Sequence, residues 1–256
     1  MDEFSEEIIT ISTPGIVTSF IFELSLPIIL SFIWVKNFNG RIKCILIGIL
    51  GFIFSVALET IFLTIVTYYV DKKSNIFYMF TALSPGLFEE TGKYILLKYL
   101  SSEDKSKIIS VSYGIGHGGI ECIIIGFSFF SYIFAKDSLI EKRVLKESIT
   151  FMTGIMSSSE RFFALMLQIS LSIIDFKAVK EKNINYYFQG IILHDLIDII
   201  PLLKLKGVLT SILLIEFIVG IYSLCIFLYS YNLYNNFEEE KIKKKKRYPY
   251  KGRKSH

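Results

Sequence analysis

The sequence predicts an all-α protein, a polytopic bundle of about seven transmembrane helices. The chain has 256 residues, of which 52% are hydrophobic and only 20% charged, and its mean hydropathy is +0.50. Soluble domains contain about 25% charged residues. The apolar residues also cluster into runs of about 20, the length that crosses a bilayer. These observations exclude a soluble globular enzyme, a disordered chain, a collagen and a disulfide scaffold.

The apolar runs are joined by breaks too short to hold a second domain. We therefore expect one helical domain over residues 1–234 and a basic tail over 235–256. Residues 136–159 are the exception, charged at first and apolar from Ile149 to Met156. They are interpreted as a surface helix, a re-entrant segment or an early start of the fifth span. The seven predicted spans are 16–34, 44–70, 76–99, 108–135, 162–179, 184–203 and 208–234.

The tail sets the predicted orientation. It carries nine basic residues after Tyr234, and Lys and Arg favour the cytoplasmic side of a membrane. We expect a cytoplasmic C-terminus and, with seven spans, an external N-terminus. A basic segment beside a span is attracted to anionic lipid, so the bilayer is the expected partner and nucleic acid is not. The three cysteines lie within apolar runs, which leaves no disulfide or Cys-based zinc pattern.

Ionisable residues inside the spans are the strongest functional signal. Each costs on the order of 3 kcal/mol at the centre of a span. We count one buried base, Lys93, and two histidines, His117 and His194. Because so few partners cannot neutralise all the acids, some acids must be protonated, wetted by a cavity or balanced by a cation. The acids counted are Glu23, Glu59, Glu89, Glu90, Glu121, Asp195, Asp198 and Glu216.

The third span carries two consecutive carboxylates and a lysine. Lys93 follows Glu89 by four residues and Glu90 by three. Both spacings place the side chains on one helix face. Lys93 can therefore pair with either carboxylate, which leaves the other free to accept a proton.

The fourth and sixth spans each carry a histidine followed four residues later by a carboxylate. The pairs are His117 with Glu121 and His194 with Asp198. At a rise of 1.5 Å per residue, Glu89, His117 and His194 lie roughly 14–15 Å from span ends that alternating topology places on the same side. All three clusters are therefore predicted at one level of the membrane.

The fourth span also contains a pair of small residues with helical spacing. Gly114 and Gly118 are four residues apart, a pattern that lets membrane helices approach closely. We expect another helix to pack against this face.

Two imidazoles and several carboxylates at one level predict a divalent metal site. Zinc takes His nitrogen and carboxylate oxygen, and a catalytic site keeps one position for water. The metal would polarise a peptide carbonyl while a nearby glutamate takes the proton of the water. The alternatives are an ion-coupled transporter and polar residues that only fasten helices together.

The order of these motifs resembles that of the YhfC family of intramembrane metalloproteases. The motifs are residues 88–93 (FEETGK), 113–121 (YGIGHGGIE), the pair Glu160–Arg161 and the pair His194–Asp195, and the resemblance covers about 76–200. That family is similar to the PrsW proteases and, more distantly, to the CAAX-protease and bacteriocin-processing (Abi) group.

The resemblance implies glutamate-activated hydrolysis of a membrane protein or peptide at a metal, in a bacterial plasma membrane. Glu89 or Glu90 would activate the water. Asp198 would orient the water or polarise the substrate carbonyl. The implied metal ligands are His117 and His194, with Glu121 as a further ligand or a partner of His117, and the expected supporting residues are Lys93, Glu160, Arg161, Gln168 and Asp195.

One position departs from the family pattern. Relatives are expected to carry a histidine about eight residues after the Glu160–Arg161 pair, and this chain has Gln168. Carboxylates from Glu121 or Asp198 could take the place of the missing ligand. Three hypotheses remain: an active intramembrane metalloprotease, a catalytically silent relative serving as a chaperone, immunity or regulatory protein, and an ion-coupled transporter.

Overall fold

The fold is described by a computed structural model over residues 10–103, 106–135 and 148–247, with side chains as far as residue 237. These residues form no β-strand, only a bridge between Ile11 and Ile149. The predicted all-α polytopic bundle is confirmed. The helices are α1 (Thr13–Phe38), α2 (Ile42–Val66), α3 (Asn75–Glu103), α4 (Ile108–Phe130), α5 (Phe151–Glu181), α6 (Asn185–Leu205) and α7 (Ile212–Arg247).

Each predicted span corresponds to one of these helices. Five of them, α1, α2, α4, α5 and α7, are long and apolar enough to cross a membrane. The other two, α3 and α6, are not in that group because polar and charged residues interrupt their apolar sequence. These two helices carry the Glu-Glu and His-Asp motifs.

The fifth helix begins earlier than the predicted span. Its N-cap is Thr150, whose hydroxyl accepts from the Thr153 backbone N–H at 3.1 Å, while the Thr153 hydroxyl accepts from the Thr150 N–H at 3.1 Å. This reciprocal capping fixes the start of α5 at Phe151. The early start of the fifth helix is therefore confirmed, and residues 136–147 lie outside the described part of the chain.

The last helix passes beyond the predicted end of the seventh span. Gly207, in the turn after α6, has a φ of 71°, a left-handed conformation that glycine adopts without strain. The chain then enters α7 at Ile212 and stays helical to Arg247, so the first part of the basic tail continues the helix. Residues 248–256 are outside the described part.

Helix α5 lies at the centre of the bundle. In its most apolar stretch 67% of the residues are buried, against 17–28% in the other four apolar helices. It packs against α1, α3, α4, α6 and α7, while α3 lies between α2 and α6. The motif-bearing helices α3, α4 and α6 therefore surround or border α5.

The two small residues of α4 allow its close approach to α5, as their spacing predicted. A Cβ placed on Gly114 would lie 2.6 Å from the Ile169 Cα, and one on Gly118 would lie 2.8 Å from the Gln168 Cβ. Any side chain at these positions would push the helices apart. The glycines thus bring Gln168 next to the histidine face of α4.

A short backbone contact joins the start of α1 to the start of α5. The Ser12 N–H donates to the Ile149 carbonyl at 2.7 Å, and the Ile149 N–H donates to the Thr10 carbonyl at 2.9 Å. At the end of α3, Lys43 of α2 donates to Glu103 at 2.5 Å, which lowers the pKa of the Glu103 carboxyl below its usual value. The first contact places the starts of α1 and α5 on the same side of the bundle, and the second places the start of α2 beside the end of α3.

Candidate active site

The three predicted clusters meet in the interior of the bundle. His117 Nε2 of α4 lies 2.8 Å from Glu89 Oε2 of α3. His194 Nδ1 of α6 lies 2.5 Å from Glu90 Oε1. The four side chains are 0–6% exposed. The clusters of α3, α4 and α6 are therefore in direct contact, as expected for residues at matched depths along their helices.

Lys93 pairs with the second of the two carboxylates. Its Nζ donates to Glu90 Oε1 at 2.6 Å, and both side chains are fully buried. The sequence left open which glutamate Lys93 would bind, and the structure selects Glu90. Glu89 is then the carboxylate without an ammonium partner.

Gln168 lies at the centre of the polar network. Its amide nitrogen donates to Glu89 Oε2 at 3.1 Å and to Glu121 Oε2 at 2.9 Å. Its amide oxygen accepts from Lys93 Nζ. Gln168, at the position where the sequence analysis expected a histidine, therefore joins α5 to α3 and α4.

Glu121 is held by an arginine rather than by the histidine one turn before it. Arg161 donates to Glu121 Oε1 at 3.0 Å and also contacts Glu160. Within the described residues, Glu121 makes no hydrogen bond to His117. The predicted supporting residues Glu160 and Arg161 thus act on the network through Glu121.

The two aspartates of α6 face different neighbours. Asp198 Oδ2 lies 3.5 Å from His194 Nε2, a charge contact too long for a good hydrogen bond. Asp195 faces α3 instead, where a Cβ on Gly86 would lie only 2.0 Å from Asp195 Oδ1. Asp198 therefore adjoins the site, and Asp195 packs the two helices together.

The sequence count of eight acids and one base inside the spans was incomplete. Asp175 lies within the predicted fifth span and is fully buried on α5. The bases Arg161 and Lys177 are also buried, the latter 2.9 Å from Glu181. The sequence signal that could have revealed Asp175 and Lys177 was the presence of a charged residue inside an otherwise apolar run.

Asp175 faces Glu90 across a glycine of α6. A Cβ on Gly190 would lie 3.0 Å from Asp175 Oδ1 and 3.7 Å from Glu90 Oε2. None of the side chains that the structure describes donates to either Asp175 oxygen or to Glu90 Oε2. Two carboxyl oxygens can share such a site when one of them carries a proton.

Two of the remaining intramembrane acids bind hydroxyl groups of other helices. Glu23 Oε1 of α1 accepts from Ser157 of α5 and also from Ser19 of its own helix, each at 2.7 Å. Glu59 of α2 accepts from Ser84 of α3 at 2.7 Å. These two acids fasten helices together, as one of the sequence alternatives proposed.

A family comparison identifies the group to which this arrangement belongs. The family described as YhfC intramembrane metalloprotease matches residues 22–219. This range includes every member of the polar network: Glu89, Glu90, Lys93, His117, Glu121, Glu160, Arg161, Gln168 and His194. The chain belongs to the YhfC family. It is 27% identical over 165 residues to "Uncharacterized membrane protein YhfC" of Bacillus subtilis (strain 168). That match spans 56% of this chain and 63% of the relative. No solved structure matches the chain.

The family description implies a divalent metal, and the side chains can be tested against that requirement. Among the described residues, no three His, Cys, Asp or Glu side chains are placed to hold one ion. The reason is that each imidazole contacts a different glutamate, while Lys93 and the Gln168 N–H group, both donors, lie among the carboxylates. This arrangement does not fit a metal bound by His117, His194 and Glu121.

Proposed function

We propose that the chain is a membrane-embedded peptide hydrolase in which Glu89 activates the attacking water. The observation that carries this proposal is the pair of contacts from consecutive carboxylates of α3 to His117 and His194 inside the bundle. The family description as an intramembrane metalloprotease supports the class of reaction.

The surroundings of the two glutamates favour Glu89 as the base. Glu89 is 6% exposed, and its Oε1 makes no hydrogen bond to any residue in the described ranges, whereas Glu90 is fully buried. A general base must lie within hydrogen-bond reach of the water. Glu89 Oε1 is available to accept from a water, while Glu90 is occupied by Lys93 and His194.

His194 is the residue proposed to bind the carbonyl oxygen of the scissile peptide bond. Its Nδ1 is held by Glu90, which directs Nε2 toward Asp198 and the adjoining cavity. In the doubly protonated form, Nε2–H donates to the carbonyl oxygen as negative charge develops there. Glu89 takes a proton from the water as the C–O bond forms and returns it to the amine as the C–N bond breaks.

The reaction is tested with a Glu89→Gln variant. The wild-type and variant chains are expressed in a bacterial host lacking its own YhfC protein, and new N-termini of membrane proteins are mapped by mass spectrometry. Loss of a general base lowers the rate by about 10²- to 10⁴-fold. We expect cleavage products with the wild type and none above background with the variant.

The matched control is Glu59→Gln. This substitution also replaces an intramembrane glutamate, but Glu59 bonds to Ser84 outside the network, and an amide oxygen can accept the same hydrogen bond. Products should persist in the control. Identical products from the wild type and Glu89→Gln would contradict the proposal.

Zinc, the ion expected from the sequence, is tested by metal analysis of the purified full chain. Since the described side chains do not converge on one point, we expect less than one zinc per chain in the wild type. In Gln168→His, an imidazole replaces the amide that bonds to Glu89 and Glu121, and we expect stoichiometric zinc. A full zinc complement in the wild type would contradict this expectation.

A catalytically silent relative is the second candidate, and Gln168 favours it. The amide bonds to Glu89, Glu121 and Lys93 together, which saturates groups that a reaction would need. A wild-type chain that generates no products while Gln168→His does would support a chaperone, immunity or regulatory role for this member.

A further inference from the structure

A cavity of about 340 Å³ opens beside the polar network between α5, α6 and α7. This volume lies within the range of about 300–1,000 Å³ that is common for ligand sites. Gln168 and His194 of the network line it, and Lys204 and Ile212, which flank the α6–α7 turn, line it as well. The cavity therefore connects the candidate active site with one end of the bundle.

Three oxygen atoms at this cavity lack donors. Ser223 of α7 is fully buried, and its hydroxyl has no hydrogen-bond partner among the residues with described side chains. Asp198 Oδ2 and Glu216 Oε2 are likewise buried atoms without such a partner. A buried polar atom left unsatisfied costs about 1–3 kcal/mol. Three such atoms around one cavity favour a ligand with several hydrogen-bond donors.

The charge of the cavity indicates which hydrogen-bond donors a ligand would carry. Arg161 contacts both Glu121 and Glu160, and its single positive charge balances one of these two carboxylates. Asp198 and Glu216 add two acids, whereas the other bases that line the cavity are His194, 3.5 Å from Asp198, and Lys204, which is exposed. The acids outnumber the bases even when His194 is protonated. The part of the cavity next to the network is therefore acidic, and an ammonium or guanidinium group matches both its charge and its need for hydrogen-bond donors.

We infer that this cavity binds the cationic side chain of a Lys or Arg residue near the scissile bond of the substrate. The inference rests on the proposed peptide hydrolase activity and names its substrate class. A basic residue within a transmembrane segment is costly in lipid and gains by pairing with an acid inside a protein. Glu216 and Asp198 supply that pairing.

The test measures the binding of two synthetic transmembrane peptides that differ at one central position, Lys in one and the uncharged, similarly long norleucine in the other. Binding is followed by fluorescence anisotropy with the full chain in lipid nanodiscs, carrying Glu89→Gln to prevent turnover. The Lys peptide should bind at least about tenfold more tightly. Adding Glu216→Gln should remove that preference and leave the norleucine peptide unaffected.

Control variants keep the result interpretable. Glu59→Gln, an intramembrane acid outside the cavity, should retain the preference for the Lys peptide. If Glu216→Gln fails to fold, as judged by thermal unfolding, Asp198→Asn serves in its place. Equal binding of the two peptides, or binding of neither, overturns the inference.

The outcome is separable from that of the proposed function. Selective binding of the Lys peptide by a wild-type chain that never cleaves it would support the cavity assignment and contradict the hydrolase. Cleavage of both peptides at equal rates would support the hydrolase and contradict the cavity assignment.

Discussion

Glu89 and Glu90 are consecutive residues that each contact a histidine, yet their surroundings differ. Glu89 has one oxygen without a hydrogen bond to any described residue, and it is slightly exposed. Glu90 is sealed between Lys93 and His194, with Asp175 behind it. The comparison indicates a division of labour in which Glu89 reacts and Glu90 holds the site in place. Substitutions at the two positions should therefore affect different properties.

Glu90→Gln should have the largest effect on stability. It leaves the Lys93 ammonium buried without its charged partner, and removing one member of a buried ion pair costs about 3–5 kcal/mol. Thermal or denaturant unfolding of the purified chain in detergent measures this loss. If Glu90→Gln is no less stable than Glu89→Gln, the structural role of Glu90 is wrong.

Substitution of Asp175 should have the second-largest effect on stability, and the size of that effect depends on the replacement. Asp175→Ala removes the group that faces Glu90 Oε2 and leaves that oxygen unsatisfied, at a cost of about 1–3 kcal/mol. Asp175→Asn supplies an N–H donor in the same place and should be close to neutral. Equal destabilisation by the two variants, measured by the same unfolding assay, would show that no proton lies between Asp175 and Glu90.

Glu89→Gln should have the smallest effect on stability. Its amide oxygen can still accept from Gln168, so we expect a change of no more than about 1 kcal/mol in the free energy of unfolding. The same variant should lose peptide cleavage. A large loss of stability would instead show that Glu89, like Glu90, mainly holds the bundle together.

The sequence predicted the helices and their meeting point because both follow from simple periodicities. Apolar runs define the spans, and helical rise places Glu89, His117 and His194 at one depth. The start of α5 could not be predicted in this way, because Arg161 lowers the local hydropathy. In the structure this arginine is paired with Glu121, and hydropathy does not register such partners.

The details of the site were harder to predict because they depend on contacts between distant segments. The residue to which Lys93 binds is decided partly by Gln168, which is 75 positions away. Asp175 was missed because only its contact with Glu90 distinguishes it from a stray charge in an apolar run. The partner of Lys93 and the role of Asp175 both depend on contacts between helices, which cannot be derived from the sequence alone.

The backbone bridge between Ile11 and Ile149 restricts the number of membrane crossings between these two residues. Residues joined by backbone hydrogen bonds are on the same side, so the chain must cross an even number of times between them. Helices α1, α2 and α4, which are long and apolar enough to span a membrane, lie between the two residues, and α3 is the other described helix there. Crossings by the first three helices give an even total only when α3 supplies a fourth. Hydropathy does not place α3 among the candidate spans, yet this count requires α3 to cross, together with the two glutamates that it carries.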